Sequence, residues 1–240
     1  MIIIVGLVIV FVGIFGGYVL SGGKLGIILH ALPFEGMMIG GAAVGSFLAS
    51  NGGTVAGKGL KGIGRTVKGS KWKKQDYQDS LSLLFAISKM VRTKGPIALE
   101  AHIENPEEST LFTEYPKILH DHFAVELITD YLRMTTMNFD DVHQIEEIME
   151  KEIEKHHHEE VKASDSLQGM ADALPALGIV AAVLGVIKTM ASISEPPEIL
   201  GFLIGGALVG TFLGVLLAYG VVGPLASRLK GVIDEDGTLY

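Results

Sequence analysis

The histidines are the side chains of this sequence best suited to metal binding or acid–base chemistry. Three of the eight are consecutive, from His156 to His158. Successive residues of an α-helix point about 100° apart, so these three imidazoles cannot all face one ion. The other histidines of the charged middle region are spaced no better for a helical site: His102, His120, His122 and His143. We therefore predict no metal site and interpret the histidine run as a solvated helix end.

No pattern of nucleophiles, bases or phosphate-binding glycines indicates an enzyme. The sequence has no Gly-x-Ser-x-Gly and no His-Glu-x-x-His, and it has no cysteine for thiol catalysis or disulfides. The segment 52–64 is glycine-rich, but it lacks the Lys-Ser/Thr ending of a phosphate loop and is typical of a basic juxtamembrane linker. The formal net charge of −8 favours no nucleic acid partner. We predict a chain that is not an enzyme and binds no cofactor.

Four apolar stretches are long enough, or nearly so, to cross a bilayer as helices. The chain is 48% hydrophobic with a mean hydropathy of +0.42, which is too apolar for an ordinary soluble domain. A membrane-spanning helix needs about 20 mostly apolar residues. The four stretches are Met1–Leu20, Pro33–Ser50, Asp172–Ile193 and Ile199–Val222. They predict an all-α integral membrane protein with four transmembrane helices.

The positions of Lys and Arg predict how these helices are oriented. Fifteen of the 19 lie between Asn51 and Met170, and seven directly follow the second stretch: Lys58, Lys61, Arg65, Lys68, Lys71, Lys73 and Lys74. An excess of basic residues next to a span marks the cytoplasmic side. Both termini are therefore predicted to be cytoplasmic, with outward loops at Ser21–Leu32 and Ser194–Glu198.

The charged middle region predicts a helical cytoplasmic domain inserted between the second and third spans. It carries 20 of the 27 acidic residues, and its apolar residues recur at helical spacing over Asp79–Met90, Ile118–Met134 and Asp140–Val161. Asn138–Asp141 offers a helix start. The expected organisation is 1–50 for two spans and a short periplasmic loop, 51–171 for the cytoplasmic domain, 172–223 for two spans and 224–240 for a cytoplasmic tail.

Few polar side chains lie inside the predicted spans, which limits the ion chemistry of the chain. Glu35, Asp172 and Lys188 fall near span ends, and Thr211 is the one hydroxyl near the middle of the fourth span. Because ion paths usually carry an acid, a conducting protein of this kind would take its titrating group from a second polypeptide, with Thr211 as a polar lining. The alternative is a Thr211 hydroxyl bonded to its own helix.

Prolines and glycines mark two further features of the spans. Pro175 and Pro224 each fall near the cytoplasmic end of a span, either as hinges or as an ordinary first-turn proline and helix stop. Glycines recur four residues apart, which permits close packing of helices. The rows are Gly13/Gly17, Gly36/Gly40, Gly41/Gly45 and Gly206/Gly210/Gly214.

Several segments resemble the MotA-type A subunits of the bacterial flagellar stator, within the group that includes ExbB and TolQ. They are Arg92–Gly95, Leu99–Pro106, Glu154–Glu159, Leu174–Ala182, Val209–Gly214 and Tyr219–Leu225, in an order and spacing that cover nearly the whole chain. The resemblance implies an ion-driven rotary complex in the bacterial inner membrane. In that complex a ring of five A subunits surrounds two MotB-type, single-span subunits, each with an ion-binding aspartate, and torque acts on the rotor protein FliG.

The resemblance also implies roles for particular residues. Arg92 and Glu100 match the charges that contact FliG. Pro175 and Pro224 match the two prolines that couple ion passage to movement. Thr211 matches the hydroxyl that faces the partner's aspartate.

Ala182 bears on which ion is used. Sodium-type relatives have a threonine at this position, seven residues after Pro175, where a hydroxyl oxygen helps to coordinate a dehydrated cation. With Ala182 lining the path beside Thr211, we predict proton coupling. Family members usually continue beyond the fourth span as a long cytoplasmic helix, whereas this sequence stops at Tyr240; either the sequence is truncated or the homologue has a shortened tail.

Two other functions fit the same architecture. One is a proton-driven energiser of an envelope or outer-membrane system, as in the ExbB and TolQ relatives, although these have three spans. The other is a membrane-anchored scaffold or sensor that conducts no ions. The stator hypothesis, with partners MotB, FliG, membrane lipid and further copies of the chain, accounts best for Arg92 and Glu100 in the large middle domain.

Overall fold

Helices make up the regular structure of this chain. The computed structural model describes residues 2–137 and 141–240, and no β-strand occurs among them. The chain divides into two compact units, Met1–Gly69 with Glu160–Ile233, and Ser70–Glu159 with Asp234–Tyr240. The α-helices are α1 (Ile2–Phe11), α2 (Gly17–Leu20), α3 (Leu25–Ser50), α4 (Gly53–Lys68), α5 (Lys74–Lys94), α6 (Glu100–Glu104), α7 (Pro116–Leu119), α8 (His122–Thr136), α9 (Val142–Met190), α10 (Pro197–Leu217) and α11 (Gly223–Gly237).

Four helical stretches in the described part of the chain are long and apolar enough to cross a membrane, which confirms the predicted number. The first joins α1 and α2 through a π-helical turn at Val12–Gly16. Met1, which the predicted first span included, lies outside the described residues. The second is α3, the third lies within α9, and the fourth joins α10 and α11 through a π-helical turn at Ala218–Val222.

The second span begins earlier than predicted. Helix α3 starts at Leu25, so most of the expected outward loop Ser21–Leu32 is helical. Pro33 lies inside the helix, where its ring removes one backbone hydrogen bond. Membrane helices tolerate this loss because neighbouring groups compensate for it. Since proline is favoured in the first turn of a helix, the sequence pattern placed the start too late.

Residues 53–68 form a helix, α4, where a linker was predicted. Its buried face consists of small residues: Ala56, Gly59, Gly62 and Thr66. A Cβ atom at Gly62 would lie 2.5 Å from Leu229 Cδ2, so the glycine permits close packing against α11. The helix is also held by two ion pairs of 3.0 and 2.9 Å, which join Lys58 and Arg65 to Glu160.

Helix α9 is a single helix of 49 residues where two were predicted, over Asp140–Val161 and Asp172–Ile193. It begins next to Asp141, whose Oδ1 accepts hydrogen bonds of 3.1 and 3.2 Å from the backbone N–H groups two and three residues later. The rest of the predicted start, residues 138–140, lies outside the described residues.

The second unit has its own apolar core. Four large side chains from different elements are at most 1% exposed: Leu83, Leu99, Phe112 and Ile118. The predicted helix Asp79–Met90 lies within α5, as its spacing indicated. The predicted helix Ile118–Met134 is instead interrupted, because α7 ends at Leu119 and Asp121 caps the start of α8.

Asp121 connects three parts of the second unit. Its Oδ1 accepts a 3.0 Å hydrogen bond from the Ala124 N–H, which caps α8, and another of 3.0 Å from the Tyr240 hydroxyl. Its Oδ2 lies 2.5 Å from Lys71 Nζ. Burial alone would raise the pKa of this carboxyl, but the Lys71 ammonium and the Ala124 N–H outweigh it, so the pKa lies below its ordinary value.

Because the folded state lowers this pKa, the carboxylate stabilises the protein at neutral pH, and the contribution is lost as the pH falls through the folded pKa. We expect Asp121→Ala to lower the free energy of unfolding by about 1–2 kcal/mol at neutral pH. It should also flatten the loss of stability that begins at about pH 5 and continues below about pH 4, the ordinary pKa of an aspartate. Fluorescence of Trp72, the single tryptophan, follows the unfolding of the purified protein. Asp121→Asn still caps α8, so its free energy of unfolding should lie between those of the wild type and Asp121→Ala. If the free energy of unfolding depended on pH in the same way in all three proteins, this role of Asp121 would be contradicted.

Candidate functional site

Thr211 lies in the second half of α10, next to an aromatic contact. The next residue, Phe212, meets the Phe15 ring of the first span edge to face, with ring centroids 5.9 Å apart. Thr211 itself is half-buried. Within the part of the chain that the structure describes, its hydroxyl makes no hydrogen bond. The hydroxyl of Thr189, by contrast, donates to the Gly185 carbonyl of its own helix at 2.9 Å.

The backbones of α9 and α10 approach each other at glycines. A Cβ atom at Gly178 would lie 2.8 Å from the Gly210 carbonyl oxygen, and one at Gly214 would lie 2.6 Å from the Leu174 carbonyl oxygen. Real Cβ atoms do not come this near to backbone atoms, so only glycine fits at these positions. The row Gly206/Gly210/Gly214 was predicted, but its partner Gly178 was not, because no other glycine of α9 lies four residues from it.

This contact places two of the predicted site residues, Ala182 on α9 and Thr211 on α10, at nearly the same height along the helix axes. A Cβ atom at Gly210, the residue before Thr211, would lie 3.1 Å from the backbone nitrogen of Ala182. Ala182 is half-buried, like Thr211. The two helices are antiparallel here, since Leu174 meets Gly214 and Ala182 meets Gly210. The backbone of Ala182 therefore lies at the level of Gly210, the residue before Thr211.

Neither predicted coupling proline ends the continuous helical stretch in which it lies. Pro175 is inside α9, where it has no N–H to donate to the carbonyl four residues earlier. Pro224 follows the π-helical turn, in which the Gly223 N–H donates to the Ala218 carbonyl, and the helix continues beyond it. A first-turn proline and a helix stop are therefore wrong for these positions.

The two prolines also lie at different levels of the helix pair, although the sequence placed both at matching positions. Leu174, next to Pro175, packs against Gly214, which is ten residues before Pro224. Ten helical residues correspond to about 15 Å along the axis. Pro175 therefore lies nearer than Pro224 to the level of Thr211.

Glu35 is the residue that sequence reasoning misplaced. It was expected at a span end, within reach of the headgroups, but it is 6% exposed and lies ten residues into α3. Its Oε2 atom would be 2.5 Å from a Cβ atom at Gly210, and it has no hydrogen-bond partner. An earlier helix start, at Leu25, accounts for the difference. The only sequence signal was an acidic residue within an otherwise apolar stretch.

Arg92 and Glu100 lie in the second unit, and both are exposed. Arg92 is in the last turn of α5, and Glu100 is the first residue of α6. Between them the chain turns at Gly95, whose φ of +85° is a conformation that glycine adopts without strain. Neither side chain forms an ion pair with another described residue, so both present their charges to the solvent.

The histidine run is not a solvated helix end. His156 lies inside α9 and stacks on Phe123, with ring centroids 3.6 Å apart and an interplanar angle of 6°. His157 Nε2 lies 3.3 Å from Asp234 Oδ1. Over residues 2–137 and 141–240, no group of three histidine or carboxylate side chains is arranged to hold a metal ion.

Models of two protein families match this chain. Motility protein A N-terminal matches residues 4–95, and the MotA/TolQ/ExbB proton channel family matches residues 119–239. The chain belongs to the MotA/TolQ/ExbB proton channel family. The four helical stretches of membrane-spanning length among the described residues agree with that membership.

Similar proteins of this family are motility proteins. Motility protein A of Salmonella typhimurium is 43% identical over 230 residues, which cover 96% of this chain and 77% of the relative. Motility protein A of Escherichia coli is 42% identical with the same coverage. Chemotaxis protein LafT of Vibrio parahaemolyticus is 36% identical over 235 residues, which cover 98% of this chain and 82% of the relative.

Solved structures share the fold of this MotA/TolQ/ExbB family member. C. jejuni MotAB aligns with a TM-score of 0.73 at 21% identity, over 99% of this chain and 84% of that chain. The flagellar MotAB stator complex from Bacillus subtilis aligns with a TM-score of 0.68 at 20% identity, over 98% of this chain and 84% of that chain. Together with the motility relatives, the match identifies a multi-pass membrane protein of the flagellar stator.

The packing of α9 on α10 predicts a sharp difference between two glycines of one helix. Gly214→Ala places a methyl group against the Leu174 carbonyl and should cost about 1–3 kcal/mol, because backbone atoms cannot move aside. Gly201→Ala, with nothing within 4 Å of its Cβ position, should leave stability equal or slightly higher. The thermal midpoint of the helical circular dichroism signal in detergent measures both. Equal midpoints for the two variants would argue against close contact at Gly214.

Proposed function

We propose that this stator subunit forms one wall of an ion path whose ion-binding aspartate comes from a MotB-type, single-span partner. The observation that supports this is the contact of α9 with α10, which sets the Ala182 backbone beside Gly210, the residue before Thr211, whose hydroxyl is free among the described residues. A hydroxyl without a partner of its own can hydrogen-bond to a carboxyl group or a water on a second chain. The partner's aspartate supplies the titrating group, and Thr211 and Ala182 line its path.

The proposed coupling passes through Pro175 and Pro224. Each interrupts the hydrogen bonding of a spanning helix without ending it, so each marks a place where the helix bends at low cost. Pro175 lies near the level of Thr211, and Pro224 lies about 15 Å further along the helix pair. Ion binding is thereby converted into helix movement near Pro175 and carried onward through Pro224.

The proposed coupling ion is the proton. A dehydrated sodium ion requires several oxygen ligands, and Ala182 supplies none from its side chain. A proton requires only an acid and a chain of hydrogen bonds, which the partner's aspartate and Thr211 provide.

The proposed assembly is a ring of five copies around two partner helices, with membrane lipid outside. No residue of the first span is buried by the rest of its own chain, and the Cβ positions of Gly36, Gly40, Gly41 and Gly45 on α3 have open space within 4 Å. These surfaces are available to neighbouring subunits and lipid. The basic residues after α3 orient the second unit and both termini toward the cytoplasm of the cell.

The proposed contact with the rotor protein FliG uses Arg92 and Glu100 on the second unit. Both charges are exposed and unpaired among the described residues, as a repeatedly formed and broken electrostatic contact requires. An ExbB-like or TolQ-like energiser would act on the cell envelope instead. The motility relatives at 43% and 42% identity favour the rotor.

Complementation of a strain that lacks its own A subunit tests the ion path. The chain, expressed with a MotB-type partner, should restore swimming, and Thr211→Ile should abolish it at equal membrane abundance because the hydroxyl is lost and the path is filled. Swimming should persist when sodium in the medium is replaced by potassium. The matched control is Thr189→Ile, whose hydroxyl is satisfied within its own helix and which should leave ion conduction per assembled complex unchanged. Swimming by Thr211→Ile, or swimming that requires sodium, would contradict the proposal.

Charge reversal tests the rotor contact. Arg92→Glu should reduce swimming speed severalfold while membrane abundance and partner binding stay unchanged, because the side chain is exposed. Lys89→Glu, an exposed charge on the same helix, is the control and should have a smaller effect. A compensating charge reversal in FliG should partly restore the speed of Arg92→Glu alone. Restoration of both variants to the same extent would indicate a general charge effect instead of a specific contact.

A further inference from the structure

A carboxyl group lies near the middle of the second span with nothing to pair it. Glu35 is ten residues from the start of a 26-residue helix, so it is about 15 Å along a helix of about 39 Å. The side chain is 6% exposed, and its Oε2 atom has no hydrogen-bond partner. Such groups are rare in spanning helices because an unsatisfied carboxyl group is costly there.

The carboxyl group points at the wall of the proposed ion path. A Cβ atom at Gly210 would lie 2.5 Å from Glu35 Oε2, 3.1 Å from the Ala182 nitrogen and 3.3 Å from the Ala181 Cβ. The carboxyl therefore occupies the space that a side chain at position 210 would fill, where α3, α9 and α10 meet. Thr211, the next residue along α10, is the polar lining proposed above.

No cation in this part of the fold compensates the carboxyl group. The titratable residues nearest in sequence on the three helices are His30, Asp172, Lys188 and Glu198, and among the described residues none forms an ion pair with Glu35. His30 stacks edge to face on Phe202, with ring centroids 5.1 Å apart. Asp172 and Lys188 are exposed. The surroundings thus favour a neutral acid that can donate one proton.

We propose that Glu35 is a proton-binding site of this chain, placed behind Gly210 to exchange protons with the ion path. The inference rests on the proposed function, because the second proton carrier is the ion-binding carboxylate of the partner. The O–H bond of the neutral Glu35 carboxyl group breaks when its proton passes to the partner's carboxylate, which becomes a neutral acid. A hydronium ion of the ion path then gives a proton to the Glu35 carboxylate, which re-forms the O–H bond and leaves water, so that one proton has been moved and no electrons have been transferred.

Gly210 acquires a second function under this proposal. It gives α9 and α10 their close approach, and it also leaves the room that the carboxyl group occupies. Such a site requires both Glu35 on α3 and a glycine at position 210 of α10, where a side chain would clash with the carboxyl group. Packing alone would be served better by an apolar side chain, which carries no penalty for burial.

Proton uptake by the complex in proteoliposomes tests the proposal. The chain is reconstituted with its single-span partner in the conducting state, and a potassium diffusion potential drives uptake that a pH dye reports. Glu35→Gln keeps the shape but cannot exchange a proton, so uptake should fall about tenfold or more at unchanged partner binding. Glu35→Asp should retain an intermediate rate. The control is Glu198→Gln, which changes an exposed acid at the start of α10 and should match the wild type.

An infrared measurement on the same samples gives a readout that does not depend on conduction. The C=O stretch of a protonated carboxylic acid should be present in the wild-type spectrum, reduced in Glu35→Gln and unchanged in Glu198→Gln. Equal uptake by Glu35→Gln and wild type, or the same acid band in both, would overturn the inference and leave the proposed function intact. A wild-type complex that neither conducts nor restores swimming would overturn the proposed function itself.

Discussion

The arrangement of the membrane helices depends on the absence of side chains where α9 meets α10. Lipid is as apolar as leucine, so membrane helices gain little from hiding apolar surface and associate by close packing instead. Gly178 and Gly214 allow the two backbones to touch. Widening that gap by one methyl group would move Ala182 away from Gly210 and would break the geometry on which the proposed ion path relies.

The sequence predicts most of the architecture but only part of the contact between α9 and α10. Apolar length predicts four spans, and the row of three glycines in the fourth span predicts a close-packed face. Both rest on repeated signals. Gly178 gives no such signal, because its importance comes from the residue opposite it in another helix. Glu35 was misplaced for a local reason, since Pro33 imitates a helix start and thereby moves the acid toward the headgroups.

The second unit shows the same division between local and long-range information. Periodic apolar residues predict α5 and α8 well. The interruption at Asp121 depends on Lys71 and on the Tyr240 hydroxyl, which lie far away in the sequence. The histidine run likewise looked solvated until Phe123 was placed beside His156. The exposure of Arg92 and Glu100, by comparison, follows from their polarity and needs no distant partner.

The first span has a consequence for the life of the protein in the cell. Each of its residues, from Ile2 to Leu20, remains at least partly uncovered by the rest of the chain. An unassembled copy therefore exposes to lipid an apolar helix that packs on its own chain only in part, as Phe15 does on Phe212. Only further chains in the same membrane can cover the rest of this span, so its packing, unlike that of α9 on α10, depends on how many subunits are present.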